Sequence, residues 1–181
     1  MKLWLKDKVA VVTGSGRGIG KEIAVRFSKE GAKVVVNDVD REVVEEVVNL
    51  IKTSGGEAVP CIEPVNTMSG GEKIINTAIS NFGKIDILVN NAGIIRDRMF
   101  VNMTEDEWDA VISVHLKGHF CCTKAAVNFM REKNWGRIIN ITSTAGLKGN
   151  TGQANYSAAK AGIVGFTLTL AMELKKYNIT V

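Results

Sequence analysis

Cysteine is scarce and its placement does not suggest metal. Cys61, Cys121 and Cys122 are the only three, an odd number without the short paired spacing of a zinc site. No secretory leader is visible either: the first eight residues include Lys2, Lys6, Asp7 and Lys8 where an apolar core would stand. Free thiols in a reducing compartment fit this pattern, and a cytoplasmic location is expected. No apolar run approaches the ~18 residues of a membrane span, so none is expected. Charge of one sign is not concentrated: 23 basic against 19 acidic residues leave +4, scattered along the chain, so no nucleic-acid partner is expected. Repeats and low-complexity linkers are also missing. What remains is 181 residues, 45% apolar and 23% charged, enough for a single domain over residues 1–181 with a sizeable core.

Against that plain background, Tyr156 and Lys160 stand four residues apart, with Ser143 thirteen residues before Tyr156. Four residues is about one helical turn, so a phenol and an ammonium share one helix face. A neighbouring cation favours a phenolate, which suits a phenol for exchanging a proton with an alcohol or carbonyl oxygen. The same pair also occurs on ordinary amphipathic helices, so the spacing alone decides nothing.

The first forty residues add a second site. A β-branched run at residues 9–12 leads into Thr13-Gly14-Ser15-Gly16-Arg17-Gly18-Ile19-Gly20 and then a helical pattern over residues 21–29. Strand, glycine-rich turn and helix together make a phosphate site: glycines admit the backbone to a pyrophosphate, and the helix start offers free N–H groups. A nucleoside-triphosphate P-loop is excluded, because it needs glycine at Ser15 and a hydroxyl residue at Glu22. Gly31 closes the helix, residues 33–36 form a second strand, and Asp38 follows it, 24 residues after Gly14. An acid there accepts the hydroxyls of an adenosine ribose and repels a 2′-phosphate; alternatively Asp38 only begins the next turn, with Asp40 capping the following helix.

Helical and strand patterns then alternate. Helices are predicted over residues 41–52, 69–82 (opened by a Ser69–Glu72 capping box), 104–131 (opened by a Thr104–Glu107 box) and 156–176; strands over 58–62, 85–89 and 137–142. The alternation predicts an α/β fold, a Rossmann-type doubly wound parallel sheet with helices on both faces, which binds ligands beyond the carboxyl ends of its strands. Thr13, Asp38, Asn90-Asn91 and Ser143 all fall at or just past such ends.

Thr13-Gly14, Gly18 and Gly20, Asn90-Asn91-Ala92-Gly93, Ser143, and Tyr156 with Lys160 occur in the order and spacing of the short-chain dehydrogenase/reductase family, which the chain resembles from about residue 6 to its end. A closer resemblance lies in residues 94–98, 114–118 and 149–156. It is to the (R)-3-hydroxyacyl-CoA dehydrogenase part of peroxisomal multifunctional β-oxidation enzymes and to bacterial 3-oxoacyl-ACP reductases. The resemblance implies an NAD(P)-dependent oxidoreductase interconverting 3-hydroxyacyl and 3-oxoacyl thioesters of CoA or acyl carrier protein. The same core also serves other secondary alcohols and ketones, and a nucleotide-binding piece without turnover is the remaining alternative. Carried over, Tyr156 is the general acid/base, Lys160 holds the nicotinamide ribose and the charge beside Tyr156, and Ser143 binds the substrate oxygen. Gly14, Ser15, Arg17, Gly18, Ile19 and Gly20 form the phosphate turn, and Asn91, Ala92 and Gly93 line the adenosine side.

Three departures from the family bear on this. His115 stands where the family has Asn and contributes a backbone carbonyl that holds a water near the Lys; here the carbonyl serves, or the imidazole joins the relay, or the ring merely packs. With His119 it could form a metal pair, but no third ligand is evident and no metal is expected. Pro64-Val65 replaces an Asp-Val pair, leaving Val65 to pack on the adenine. Finally, the sequence stops where the family's next strand begins, as though truncated after the fifth helical crossover without the later strands and substrate lid, and the 137–142 strand is expected to be an open sheet edge. Asp38 argues for NAD, while Arg17 occupies a position that NADP-using relatives fill with a basic residue. The helices over 108–131 and 156–176 match those the family uses in homodimers and homotetramers.

Overall fold

The structure, a computed structural model, describes residues 3–181. Six strands, β1 (Val9–Val12), β2 (Lys33–Asn37), β3 (Glu57–Cys61), β4 (Ile87–Asn90), β5 (Gly136–Asn140) and β6 (Ile179–Thr180), form one parallel sheet in the order β3-β2-β1-β4-β5-β6. The helices are α1 (Gly18–Lys29), α2 (Arg41–Thr53), α3 (Met68–Phe82), α4 (Glu105–Ile112), α5 (Gly118–Glu132), α6 (Ala145–Lys148) and α7 (Ala154–Leu174). The central strands are apolar on both faces because helices cover both. Val9 and Val11 of β1 pack into one core with Ile74 and Ile75 of α3, Ala126 and Met130 of α5 and Leu174 of α7. Ala10 and Val12 face the opposite core, with Ala24 of α1 and Val44, Val47 and Ile51 of α2. The expected doubly wound fold is what forms. Strand order reverses between β1 and β4, so the loops leaving their carboxyl ends diverge and open a crevice.

Several local expectations are corrected. The α3 helix starts at Met68, and its cap is Thr67, whose Oγ1 accepts from the Gly70 N–H at 2.9 Å; Ser69 lies inside the first turn and forms no capping box with Glu72. The Thr104–Glu107 box does form, with bonds of 3.2 and 3.0 Å. The stretch it opens is not one helix. Ser113–Lys117 is a π-helical turn between α4 and α5, a widening that hydropathy patterns do not register. The edge of β5 is half covered, because β6 pairs Gly136 with Ile179 and Arg137 with Thr180. Lastly, Ala154–Tyr177 is long and apolar enough, by length and composition, to cross a membrane. Scattered Asn, Ser and Lys residues hide this from a search for unbroken apolar runs.

Asp86, predicted inside β4, lies just before it and ties the far end of the sheet together. Its carboxylate accepts from the Val9 N–H at 2.8 Å and from Lys133 Nζ at 2.9 Å, with Lys84 Nζ at 3.0 Å. Burial alone would raise its pKa, but these bonds outweigh it and hold the carboxyl below its usual range. Asp86→Asn should therefore lower the unfolding free energy by about 1–3 kcal/mol, read from denaturant midpoints. The loss should shrink as pH falls through the acid range, where Asp86 protonates in either state.

Candidate active site

The glycine turn is held by the strand beside it. Thr13 donates its hydroxyl to the Val89 carbonyl at 3.3 Å and accepts from the N–H groups of Asn91 and Ala92 at 3.0 and 3.1 Å. Asn91 returns its side-chain amide to the carbonyls of Thr13 and Gly14 at 2.9 and 3.0 Å. Gly14 turns with φ +61° against Ala92, and a Cβ there would lie 2.7 Å from the Ala92 Cα. Ser15 belongs to the same scaffold: its N–H and hydroxyl are committed to Asn37, and its hydroxyl also to Val12. Past this turn α1 begins at Gly18 with no side-chain cap and no acid in its first turn. Its N-terminal N–H groups and positive dipole end face the crevice.

Asp38 lines the same crevice from the end of β2. Its carboxylate accepts from the Gly16 N–H at 3.3 Å and the Val39 N–H at 2.8 Å. Asp40 is the α2 cap, accepting from the Glu42 N–H, and it also binds Arg17 at 2.6 Å. Sequence reading gave Arg17 no partner. Val65 is buried in the wall, against Gly118. The cleft as a whole is about 770 Å³ and is lined by Gly14, Arg17, Gly18, Ile19, Asp38, Val65, Asn91, Ala92 and Gly93 at one end, and by His115, Tyr156 and Lys160 at the other. Gly20 lies beneath the lining, where a Cβ would meet the Gly14 carbonyl oxygen at 2.3 Å.

α7 delivers Tyr156 and Lys160 to the second end. The Lys160 ammonium is 5.6 Å from the Tyr156 ring centre and donates to the Ile141 carbonyl at 2.5 Å. Burial lowers its pKa to about 8. Ser143 sits three residues past β5 and accepts from the Ala145 N–H at 3.1 Å. Its neighbours are fastened to the Lys160 turn on both sides. Thr142 donates to the Lys160 carbonyl at 2.9 Å, and Gly146 lies so close that a Cβ would be 2.7 Å from the Ala161 nitrogen.

His115 lies in the π turn, 3% exposed, with its ring edge-on to Tyr156 at 5.2 Å between centres. Its Nε2 is within bonding distance of both the Ile94 N–H (3.1 Å) and the Ile94 carbonyl (2.8 Å). The ring fills the space a Gly93 Cβ would need, at 2.2 Å. The His115 backbone carbonyl accepts from the Gly118 N–H and from His119 Nδ1. The two imidazoles therefore reach different carbonyls, and among the described residues no group of three His, Cys, Asp or Glu could hold a metal. Asn155 escaped sequence reading although it adjoins Tyr156. Fully buried, it donates to the carbonyls of Arg96 and Glu107 at 3.0 Å each and accepts from the Tyr156 N–H at 2.8 Å. It thus fixes the start of α7 to the loop after β4.

The short chain dehydrogenase family profile matches residues 8–181. The chain belongs to that family. It is 50% identical to the peroxisomal hydratase-dehydrogenase-epimerase of Saccharomyces cerevisiae over 99% of its own length and 21% of the yeast protein. To the 3-oxoacyl-[acyl-carrier-protein] reductase of Synechocystis it is 48% identical, over 98% of this chain and 72% of the reductase. A crystal structure of a short chain dehydrogenase from Mycobacterium avium superposes with a TM-score of 0.94 at 46% identity, covering 98% of this chain and 66% of the other. The chain thus spans about a fifth of the yeast relative and two thirds of the mycobacterial chain. Membership implies a nicotinamide dinucleotide as the group the cleft would hold. The residues fit such a group: an open helix start beside closely packed glycines, an acid at the end of β2, and a buried ammonium at the far end of one cleft.

Two neutral histidines lie under this short-chain dehydrogenase site. Burial lowers the His115 pKa from 6.5 to about 4, and burial together with the Lys160 charge lowers that of His119 to about 3. Between pH 6.5 and about 4 the unfolded chain binds protons that the folded chain does not, so stability is complete above pH 6.5 and falls as pH drops through that window. For His115 the shift corresponds to on the order of 3 kcal/mol. Denaturant unfolding at pH 7, 5.5 and 4.5 should show this decline, and replacing both histidines by Asn should flatten it.

Proposed function

We propose that the chain carries the dehydrogenase site of an enzyme interconverting 3-hydroxyacyl and 3-oxoacyl thioesters. One observation carries the reading: Tyr156 and Lys160 share a face of α7 and line the same cleft as the glycine turn and Asp38. A bound nicotinamide supplies or accepts the hydride. In reduction Tyr156 gives its phenolic proton to the substrate oxygen, and in oxidation it takes the proton back. Lys160 keeps positive charge beside that oxygen, and the Ser143 hydroxyl donates to it. The thioester class is supported by the names of the relatives and by exposed apolar residues in the segments that follow β4 and β5, Ile95 of the cleft lining with Met99, Phe100, Val101 and Leu147, which offer surface for an acyl chain. NADH oxidation by the intact protein should proceed with acetoacetyl-CoA, and Tyr156→Phe should lower kcat by about 10²–10⁴-fold. Turnover confined to simple ketones or steroids would replace the substrate assignment. Undiminished activity in Tyr156→Phe would remove the acid/base assignment.

For the cofactor we favour NAD, on the carboxylate of Asp38 at the cleft mouth. Arg17 is the group that would welcome a 2′-phosphate, but Asp40 holds it at 2.6 Å. Asp38→Ala alone should therefore raise the NADP/NAD ratio of kcat/KM only modestly. Adding Asp40→Ser, which keeps a capping oxygen on α2 while freeing Arg17, should raise it about tenfold further. Steady-state kinetics with both cofactors decides the matter.

A homo-oligomer built on α5 and α7 remains our reading of the exposed Phe120, Leu168 and Met172. The three free, buried cysteines suit the reducing cytoplasm, while relatives in yeast and Dictyostelium discoideum carry peroxisomal names. Imaging of the intact protein distinguishes the two locations.

A further inference from the structure

His119 is 2% exposed and lies one turn beneath His115. Its Nδ1 is 2.6 Å from the His115 carbonyl oxygen. A carbonyl only accepts, so the ring carries its proton on Nδ1. Its Nε2 is buried and, among the described residues, makes no hydrogen bond of regular geometry. Burying an imidazole with one nitrogen unsatisfied is unfavourable, and a leucine of similar size would pack there without that penalty. Among the described residues the bond to His115 is the ring's one hydrogen bond of regular geometry, with the Asn90 backbone lying against the ring as a weaker contact.

That bond falls at the widest point of the helix. The Gly118 N–H reaches back both to His115 and to Ser113, five residues away, which marks the π turn. A widened turn leaves carbonyls without their regular helical donors, and such turns recur at functional sites. Here a side-chain donor from the next turn joins the Gly118 N–H on the His115 carbonyl. The same turn sets the direction of the His115 side chain, whose ring then meets Tyr156 edge-on, bonds Ile94 and leaves no room for a Cβ at Gly93.

We propose that His119 is a positioning residue for the reaction: its Nδ1–H holds the His115 carbonyl in the widened turn, and this fixes the His115 ring against Tyr156 and the Gly93–Ile94 wall of the cleft. The proposal rests on the reading of Tyr156 as the acid/base group. His119 touches neither substrate nor cofactor. Its removal is expected to misplace Tyr156 without emptying the dinucleotide end of the cleft.

Three variants of the intact protein test this, with Tyr156→Phe assayed beside them. His119→Leu keeps the bulk and loses the donor. His119→Asn places an amide N–H near the Nδ1 position, and His119→Gln places one near Nε2. With acetoacetyl-CoA and NADH, Leu and Gln should each lower kcat by about tenfold. KM for the thioester and NADH affinity, read from NADH fluorescence, should stay within about twofold, a shift small beside the tenfold that 1.4 kcal/mol represents. Asn should recover most of the loss. If Leu fails to fold, the Asn and Gln pair carries the comparison. In ¹⁵N NMR the His119 ring should show a protonated Nδ1 and a bare Nε2. Unchanged kcat in Leu or Gln, equal losses in Asn and Gln, or an Nε2–H tautomer would each overturn the proposal. A Tyr156→Phe variant that retains full activity would instead sink the reading beneath it.

Discussion

The cleft depends on one hydroxyl. Thr13 uses its full hydrogen-bonding capacity, one donor and two acceptor directions, to join the turn after β1 to the residues after β4. The sheet reverses its order between these two strands, so their loops would otherwise part where a dinucleotide must lie. The Asn91 amide reinforces the join from the other side. Once the loops are fixed, glycine at position 14 follows from Ala92 lying against it. Side chains that sequence comparison reads as cofactor contacts are here occupied with holding the backbone. The backbone, with the open start of α1, is what remains to meet phosphate.

Beneath the reacting end lies a buried polar layer. Asn90 bridges Thr123 and Asn140 at 2.9 Å each, and Asn140 continues to Thr167. His115, His119 and Lys160 complete it, all almost fully buried. An apolar layer would be more stable, because several of these atoms, among them Asn90 Oδ1 and His115 Nδ1, lack partners among the described residues. Such a layer has a different advantage. Directional bonds fix rings and amides to single orientations where apolar packing permits several, and proton transfer over a hydrogen-bond length requires that definition.

Much of this was legible in the sequence because it is local. The glycine turn needs only a strand before it and a helix after, and Tyr156 and Lys160 need only a helical period. The alternation of patterns gave the fold class. The features that escaped depend on contacts between distant segments. Thr13 and Asn91 are 78 positions apart, and Asn155 binds Arg96 from 59 away. The Arg17–Asp40 pair, 23 apart, was invisible because each residue already had a local reading, one as a phosphate-side cation and the other as a helix cap. The π turn escaped for a different reason. It inserts its extra width without glycine or proline, so Ser113–Lys117 reads as ordinary helix.

α7 shows why a composition rule can mislead at a functional site. Its inward residues include Asn155, Ala159, Lys160 and Ile163, two of them polar, while Leu168 and Met172 face outward. On the function proposed for Tyr156 and Lys160, the usual amphipathic arrangement gives way because the buried side supplies hydrogen bonds and charge to a reacting oxygen. Mean hydropathy over the helix therefore marks it as a membrane candidate although it holds no unbroken apolar run, and its apolar residues define no single face. On that proposal both results follow from one requirement: polar site groups occupy positions that packing would have given to leucine. The apolar side chains displaced from the interior remain on the surface, where large apolar patches are uncommon on monomers.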